Sequence, residues 1–189
     1  LGVKKNHVKE ALKITKLEEK DIENYDIHDS KKFSTELRRI SKPTLIVANK
    51  IDVKGAGKNF QRLRERYNDM IVVPASADSE LSLRRAEQKE LIKYSPGSEQ
   101  FDILKANDLN QKQRDALDFI KSDIMGEFMH TGVQFAINVT VFKLLKMNSI
   151  YPVAIPEKLS DKNGRVLPDL ILLKDGSTVF DLAKEIHSD

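Results

Sequence analysis

The chain has 189 residues, 40% of them hydrophobic and 32% charged, which is typical of a soluble globular protein with one good core and a small appendage. Because it has no cysteine, it forms neither disulfides nor thiolate metal sites, and we predict a location in the reducing cytoplasm. The formal net charge of +3 is too small to require nucleic acid, and we expect no DNA binding, although a weakly basic chain permits an anionic partner.

Residues 1–40 are polar and are predicted to form a helical segment ahead of the first strand. Val8 and Leu12 repeat at helical spacing, and so do Phe33 and Leu37. We expect these helices to cover a sheet. The chain begins without an initiator methionine or a leader peptide, and we expect an upstream region to be missing.

An apolar, β-branched run over residues 44–48 predicts a strand that is buried on both faces, and polar residues follow its carboxyl end. Open parallel sheets bind ligands at that edge. The carboxylate of Asp52 can accept hydrogen bonds from both the N1–H and the exocyclic amine of guanine, whereas the edge of adenine would leave it unpaired. Lys50 can lay its methylene stem on the base, and Asn49 can bridge the base edge and neighbouring loops. These three residues predict a guanine-binding loop.

A second strand, predicted over residues 70–74, leads into small residues in the same way. The small side chains of Ser76 and Ala77 would let a backbone N–H approach the guanine O6. Helices are predicted over residues 59–67 and 79–93, which gives the order β, α, β, α of an α/β fold. The first of these helices is basic and fits either a solvated face or a contact with ribosomal RNA.

The next region is predicted to be helical. The turn at residues 95–97 precedes a helix over residues 110–128 with Asn110 as its cap. The length of the apolar segment 133–146 favours a buried helix. Its apolar core carries polar residues and is shorter than the roughly 20 residues of a membrane span, so we expect no membrane partner.

The last part of the chain is predicted to form a small, truncated β-rich segment. We predict strands over residues 150–155 and 170–173, with a turn over residues 160–165 between them. Residues 176–178 are predicted to cap a final helix. A hairpin and one helix bury too little surface to be stable alone, so we expect further strands to be missing.

Several of these segments resemble known GTPases. The two loops resemble the fourth and fifth motifs of the P-loop GTPases, with Asp78 in place of the usual lysine. A second resemblance lies in the last part of the chain, which resembles the first half of a TGS domain, a ubiquitin-like β-grasp module. The residues that carry it are 151–153, 167–169, 172–179 and 183–187. Together the motifs look like the YchF group of Obg-related translation-factor GTPases, and residues 74–86 and 131–134 fit its archaeal-type branch.

The resemblance implies a fold class and a domain organisation. The fold would be α/β, the remnant of a Rossmann-like P-loop GTPase domain with helical additions, followed by a partial β-grasp segment. Its parts would be a helical segment at 1–40, the carboxyl-terminal part of the GTPase domain with its following helices at 41–148, and a partial TGS domain at 149–189.

The resemblance also implies the ligand and the partner. Branches that prefer ATP carry glutamate at the last position of the fourth motif and lack the lysine, so Lys50 and Asp52 imply GTP or GDP. The cofactor-binding residues would be Asn49, Lys50, Asp52, Ser76 and Ala77. Mg²⁺ is expected only in the intact parent protein, and a ribosome or RNA is an expected partner.

No P-loop occurs in the sequence, so we assign no catalytic residue. Gly55-Ala56-Gly57-Lys58 follows the fourth motif instead of preceding it and is predicted to be a mobile loop. The chain alone is therefore expected neither to hydrolyse GTP nor to bind it tightly, although the parent would be a GTPase. The alternative is a non-catalytic ribosome- or RNA-binding module with a vestigial nucleotide pocket.

The remaining side chains are expected to be structural. No metal site is predicted, because the four histidines lack metal-ligand spacing and are expected to be exposed or hydrogen-bonded: His7, His28, His130 and His187. Four phenylalanines are predicted to lie in the core: Phe119, Phe128, Phe135 and Phe142.

Overall fold

A computed structural model describes residues 2–167 and 169–186 of the chain. Pro168 and His187, which belong to the motifs and predictions above, lie outside the described residues. The helices are α1 Lys5–Thr15, α2 Ile27–Ser41, α3 Ala56–Arg66, α4 Ala77–Gln88, α5 Gln111–Phe119, α6 Gly126–Phe128, α7 Val133–Asn138 and α8 Val179–Ile186. The strands are β1 Ile46–Asn49, β2 Val72–Ala75, β3 Ile92–Lys93, β4 Asp102–Ile103, β5 Met147–Ile150 and β6 Ile171–Lys174.

The two amino-terminal helices pack mainly on each other and not on the sheet. Asp26 caps α2 by accepting a hydrogen bond from the Asp29 N–H at 2.7 Å. The Tyr25 hydroxyl donates to the Leu17 carbonyl, and its ring meets Phe33 edge-on. The prediction that these helices cover a sheet was wrong, because their narrow apolar stripes are used to close the hairpin.

Strands β1 and β2 form a parallel pair joined by α3. Ile46 is in register with Val72, and Asn49 with Ala75. Both strands begin two residues later and end one residue later than predicted. The expectation that β1 is buried on both faces was wrong: within the described chain it pairs only with β2, and Val47 is 45% exposed.

Two clusters of buried side chains form the core around this pair. Ile51, Phe60 and Ile124 form one cluster, in which the Phe128 ring meets Phe60 edge-on. The second and larger cluster joins α4, β3 and α5 and contains Leu83, Ile92, Tyr94, Phe101, Leu109, Leu117, Ile120 and Met125. The core therefore lies between the parallel pair and the helices that follow it.

Helix α4 ends at Gln88 and not at the predicted residue 93. Glu90 has a positive φ of 55°, and the Leu91 N–H turns back to the Ala86 carbonyl. The chain then enters β3, which pairs with β4 in antiparallel orientation. This left-handed turn ends the helix and creates a short hairpin that the periodicity did not reveal.

The predicted helix over residues 110–128 is present and Asn110 caps it, accepting from the Gln113 N–H at 3.0 Å. A π-helical stretch, Ile120–Met125, joins α5 to α6. Because that long helix packs with only part of its surface, Phe119 is 41% exposed and its core assignment was wrong.

The predicted helix over residues 133–146 is present as α7 followed by a π-helical stretch, Val139–Leu144, but it is not buried. Ala136 is its buried residue, while Phe135 and Phe142 are exposed. The core assignment of both phenylalanines was wrong, because the apolar stripe is wider than the surface on which the helix packs.

The carboxyl-terminal segment forms a hairpin followed by a helix, with strand bounds that differ from the prediction. Strand β5 ends at Ile150, because the prolines at 152 and 156 lack the N–H that a ladder needs, and the predicted strand over 150–155 was wrong. The pair β5–β6 is antiparallel, with Ile150 opposite Ile171. The predicted cap of α8 is present: Thr178 accepts from the Asp181 N–H at 3.3 Å.

Among residues 2–167 and 169–186, each helix is too short or too polar to cross a membrane.

Candidate functional site: two loops at the carboxyl ends of β1 and β2

The loops that follow β1 and β2 meet through the Asn49 side chain. Its Oδ1 accepts hydrogen bonds from the Lys50 N–H at 2.8 Å and from the Ala77 N–H at 3.1 Å. The Ile51 N–H donates to the Ala75 carbonyl at 3.1 Å. Because parallel neighbours end at the same edge of a sheet, residues 28 positions apart are brought into one cluster.

Lys50 and Asp52 take different positions in the first loop. Lys50 has a positive φ of 67°, and its side chain is exposed. Asp52 is half-buried, and its Oδ1 has no hydrogen-bond partner among the described residues. A buried carboxylate oxygen without a partner is costly, so this atom is a candidate acceptor for a ligand donor.

The predicted residues line two separate depressions. A cavity of about 260 Å³ is lined by Asn49 and Lys50 on the α3 side of the loop. A cavity of about 330 Å³ is lined by Asp52 together with Asp123 and Glu127. The structure therefore unites Asn49 with the second loop but leaves Asp52 in a different depression.

The side chain of Ser76 points into the protein. Its Oγ lies 2.7 Å from the Ser79 Oγ and accepts from the Ser79 N–H at 3.2 Å, which caps α4. The Ser76 N–H donates to the Thr131 carbonyl at 2.8 Å. Ala77 is exposed, and its N–H is held by Asn49. Ser76 thus shapes the loop, and Ala77 presents the backbone.

A third segment, Thr131-Gly132, supports the second loop from behind. Gly132 has a φ of 88°, and a Cβ at this position would lie 2.0 Å from the Pro74 carbonyl oxygen and 2.7 Å from the Ala75 Cα. Only glycine permits this approach. The sequence marked residues 131–134 only as a family motif, and its role as a support becomes visible in the structure.

Glu80, only 6% exposed, connects that support to α4. Its Oε2 accepts from the Thr131 hydroxyl at 2.6 Å and from the Tyr94 hydroxyl at 2.8 Å, and its Oε1 pairs with Arg84 at 2.7 Å. Burial opposes ionisation, but the hydrogen bonds from Thr131, Arg84 and Tyr94 outweigh it and lower the pKa of Glu80. Burial and the hydrogen bond to Glu80 raise the pKa of Tyr94 to about 12.

Sequence reasoning missed Glu80, Tyr94 and Thr131 as members of one group. A charged residue on the inward face of α4, three positions before the buried Leu83, was the available signal.

The predicted mobile loop at residues 55–58 was also wrong. Gly55, with a φ of 86°, precedes α3, and residues 56–58 form the first turn of that helix.

The histidines match their prediction only in part. His7 is half-buried and its Nδ1 accepts from the Lys4 N–H, whereas His28 is exposed. The His130 ring stacks on Phe135 at 4.4 Å, and its buried Nδ1 has no partner among the described residues. Within the described part of the chain no group of three or more His, Asp or Glu residues is placed to hold a metal ion.

The loops and their support lie in a region that matches a known family. The family model described as the Obg-like GTPase YGR210-like, G4 motif-containing domain matches residues 47–154, more than half of the chain. The chain belongs to this family. The matched range of this Obg-like family includes both loops, Glu80 and the Thr131-Gly132 support.

Two curated relatives and one solved structure are similar to this Obg-like chain. An uncharacterized GTP-binding protein of Methanocaldococcus jannaschii is 46% identical over 153 residues, covering 81% of this chain and 38% of the relative. An uncharacterized GTP-binding protein of Schizosaccharomyces pombe is 26% identical over 172 residues, covering 87% and 42%. The crystal structure of a GTP binding protein from Pyrococcus horikoshii matches with a TM-score of 0.71 and 37% identity over 100% of this chain and 48% of that one.

The likeness to the Pyrococcus structure confirms the predicted α/β character of the fold. The chain spans about two fifths of the length of the curated relatives that it matches.

Proposed function

We propose that this chain is the guanine-recognition part of a GTP-binding protein of the Obg-like family. Asp52 accepts the N1–H and the exocyclic amine of guanine, and Lys50 covers a face of the base with its methylene stem. Asn49 holds the two loops at a fixed separation, and the backbone of Ser76 and Ala77 faces the O6 edge. GTP or GDP is the proposed ligand.

The observation that carries this proposal is the hydrogen bond from the Ala77 N–H to the Asn49 Oδ1 at 3.1 Å. This hydrogen bond joins the two loops that the sequence predicts to bind guanine. Both loops lie at the carboxyl ends of parallel strands, where α/β proteins bind their ligands. The unpartnered Oδ1 of Asp52 supports the same reading, because guanine supplies the donors that the protein does not. The two curated relatives are both named as GTP-binding proteins, which agrees with the proposal.

Substitution of Asp52 by asparagine tests the proposal. Xanthine carries an oxygen where guanine carries the exocyclic amine, so the new amide of Asp52→Asn can donate to it. We expect the preference for guanosine over xanthosine monophosphate to fall at least about ten-fold, measured by NMR titration of the chain and by calorimetry with GTP and XTP in a longer protein that contains it.

The matched control is Asp78→Asn, which removes the same charge from the second loop. It should leave the preference within about two-fold of wild type. An unchanged preference for guanine in Asp52→Asn would refute the role assigned to Asp52.

We further propose that the parent protein is a YchF-type GTPase of the archaeal-type branch and acts in the cytoplasm with a ribosome or RNA. Mg²⁺ would be bound with the phosphates in the intact parent and not by the residues described here. The carboxyl-terminal segment, about 149–189, would be the start of a TGS domain. The antiparallel β5–β6 pair followed by α8 supports this, since a β-grasp fold opens with a hairpin and a helix.

A second candidate is a non-catalytic interaction module with a vestigial nucleotide pocket. The observation that favours it is that Asn49 and Asp52 line different depressions. A failure of guanosine monophosphate to shift the amide resonances of both loops would favour this candidate.

A further inference from the structure

A groove between α4 and α5 lies apart from the two loops and is not used by the proposed function. Its cavity is about 310 Å³. One wall is the face of α4 that carries residues 82, 85 and 86, continued by its C-cap residue 89. The other wall is the face of α5 that carries residues 112, 113, 116 and 117, continued by residue 120 of the following π-helical stretch. These spacings of three and four positions place each set on one side of its helix.

The floor of the groove is apolar. Leu109, Leu117 and Ile120 belong to the larger core cluster, and their edges line the cavity. Ala86 and Leu91, both half-buried, complete the floor. An apolar side chain of a ligand that enters here would pack against this core cluster and be removed from water, which is favourable.

The rim of the groove is cationic. Arg85 and Lys89 project from α4, and Lys112 projects from α5, while the residues that line the cavity include no Asp or Glu. None of the three makes an ion pair in the described part of the chain, although nearby cations do: Arg84 pairs with Glu80 and Lys105 with Glu90. The groove therefore combines an apolar floor with uncompensated positive charge.

The stability of the helices explains only part of this arrangement. Arg85 in the last turn of α4 and the C-cap residue Lys89 suit the helix dipole, although they lie four positions apart and repel each other. Lys112 lies in the first turn of α5, where the helix dipole disfavours a cation. Lys112 is therefore the rim cation that its own helix does not favour.

We propose that this groove docks an acidic peptide segment of a partner protein, which inserts one apolar side chain between carboxylates. The small volume fits an anchoring side chain, and a cavity walled by residues of two helices can receive a peptide. Carboxylates of the peptide would neutralise Arg85, Lys89 and Lys112, which no residue of the described chain does. The site shares no residue with the two nucleotide loops, so it stands independently of the proposed function.

The probe is a fluorescein-labelled peptide of about twelve residues with Leu and Phe at helical spacing and Glu elsewhere, measured by fluorescence anisotropy. Lys112→Glu reverses a rim charge, and Ala116→Phe fills the groove at an exposed position without changing charge. Each should weaken binding at least about ten-fold. Because Lys112→Glu suits the helix dipole, its free energy of unfolding should not fall, so lost binding cannot be ascribed to misfolding.

The matched control is Lys121→Glu, an equal charge reversal at an exposed position of the same helical region that does not line the groove. It should bind the peptide within about two-fold of wild type. Equal affinity in all variants would overturn the proposal. A peptide with Ser in place of Leu and Phe that bound as tightly as the probe would also overturn it. The proposal would equally be overturned if GTP displaced the probe as effectively as the unlabelled peptide does.

Discussion

At the scale of single residues, Glu80 connects α4 to Tyr94 and to the Thr131-Gly132 support. It is a buried carboxylate that accepts hydrogen bonds from α4, from Tyr94 and from Thr131 at once. Thr131 in turn accepts the Ser76 N–H through its carbonyl. The position of the second loop therefore depends on the carboxylate of Glu80, which is not one of the proposed ligand-binding residues.

The ionisation of Glu80 gives a testable dependence of stability on pH. Its hydrogen bonds hold the pKa below the ordinary 4.5, so its stabilisation is present above that pH and is lost as the pH falls through the folded-state pKa. We expect Glu80→Gln to lower the free energy of unfolding by about 1 to 3 kcal/mol at neutral pH. The gap between wild type and variant should narrow below pH 4.5, as measured by urea unfolding across the acid range.

Glu87→Gln is the control for charge alone, because Glu87 is exposed on the same helix. Its effect should stay within about 0.5 kcal/mol at neutral pH. In the alkaline range the Tyr94 hydroxyl changes the free energy of unfolding in the opposite direction. Its stabilisation is present below pH 10.0 and is lost as the pH rises through the raised pKa of about 12. A gap between wild type and Glu80→Gln that is the same at all pH values would show that Glu80 is not ionised in the folded protein.

The sequence predicted some of these residue contacts and could not predict others. Asn49 was expected to bridge the base edge and neighbouring loops, and its Oδ1 lies 3.1 Å from the backbone nitrogen of Ala77 in the second loop. The Glu80–Thr131 hydrogen bond spans 51 positions and follows no periodic pattern. Such a contact depends on how helices pack, which local composition does not encode.

At the scale of elements, periodicity predicted most helices but misjudged their surroundings. The helix over residues 133–146 was predicted from its length, yet Phe135 and Phe142 remain exposed. The β3–β4 hairpin was missed, because each strand has only two residues and produces no alternation. Pattern therefore gives the type of an element, whereas its burial depends on neighbours that are far away in sequence.

The close packing of the Thr131-Gly132 turn against β2 gives a prediction at this scale. A methyl group at Gly132 would overlap the Pro74 carbonyl oxygen and the Ala75 Cα, both of them backbone atoms that cannot move aside cheaply. We expect Gly132→Ala to lower the free energy of unfolding by about 2 to 4 kcal/mol, as measured by urea denaturation. The displaced end of β2 should also alter the amide resonances of Ser76 and Ala77.

Gly164→Ala is the matched control for this substitution. Gly164 has a similar φ of 81° but has nothing within 4 Å of an added Cβ. It should therefore lose only about 1 kcal/mol from backbone strain. If the two variants were equally stable, the contact of Gly132 with β2 would not be a constraint on the second loop.

At the scale of the whole molecule, the described chain contains the two proposed guanine-binding loops, the proposed peptide groove and a carboxyl-terminal hairpin with little core of its own. Val179 is 83% and Phe180 68% exposed on α8. Exposed apolar residues that lie close together are typical of an interaction surface. The proposed guanine-binding loops and the exposed apolar residues of α8 thus lie in different parts of one chain.

The final prediction is that the segment after Asn148 docks on a ribosome while the nucleotide loops act independently of it. Long-range attraction is not the cause, because its basic and acidic residues are nearly balanced and Arg165 is already paired with Asp161 at 2.7 Å. Local shape and the exposed lysines at 158, 162 and 174 would have to provide the contacts. Deletion of everything after Asn148 from a longer protein that contains this chain should abolish co-sedimentation with ribosomes at physiological salt.

The same deletion should leave GTP affinity within a few-fold, since we expect no base or phosphate contact from the deleted segment. The competing surface is the basic helix α3, where Arg64 lies over the Phe60 ring and Arg62 is exposed. Charge reversal by Arg62→Glu therefore serves as the counterpart variant, and it should leave sedimentation unchanged if the carboxyl-terminal segment is the docking surface. The opposite pattern, with sedimentation kept by the truncated protein and lost in Arg62→Glu, would move the RNA contact to α3, where phosphate neutralisation would make it steeply dependent on salt.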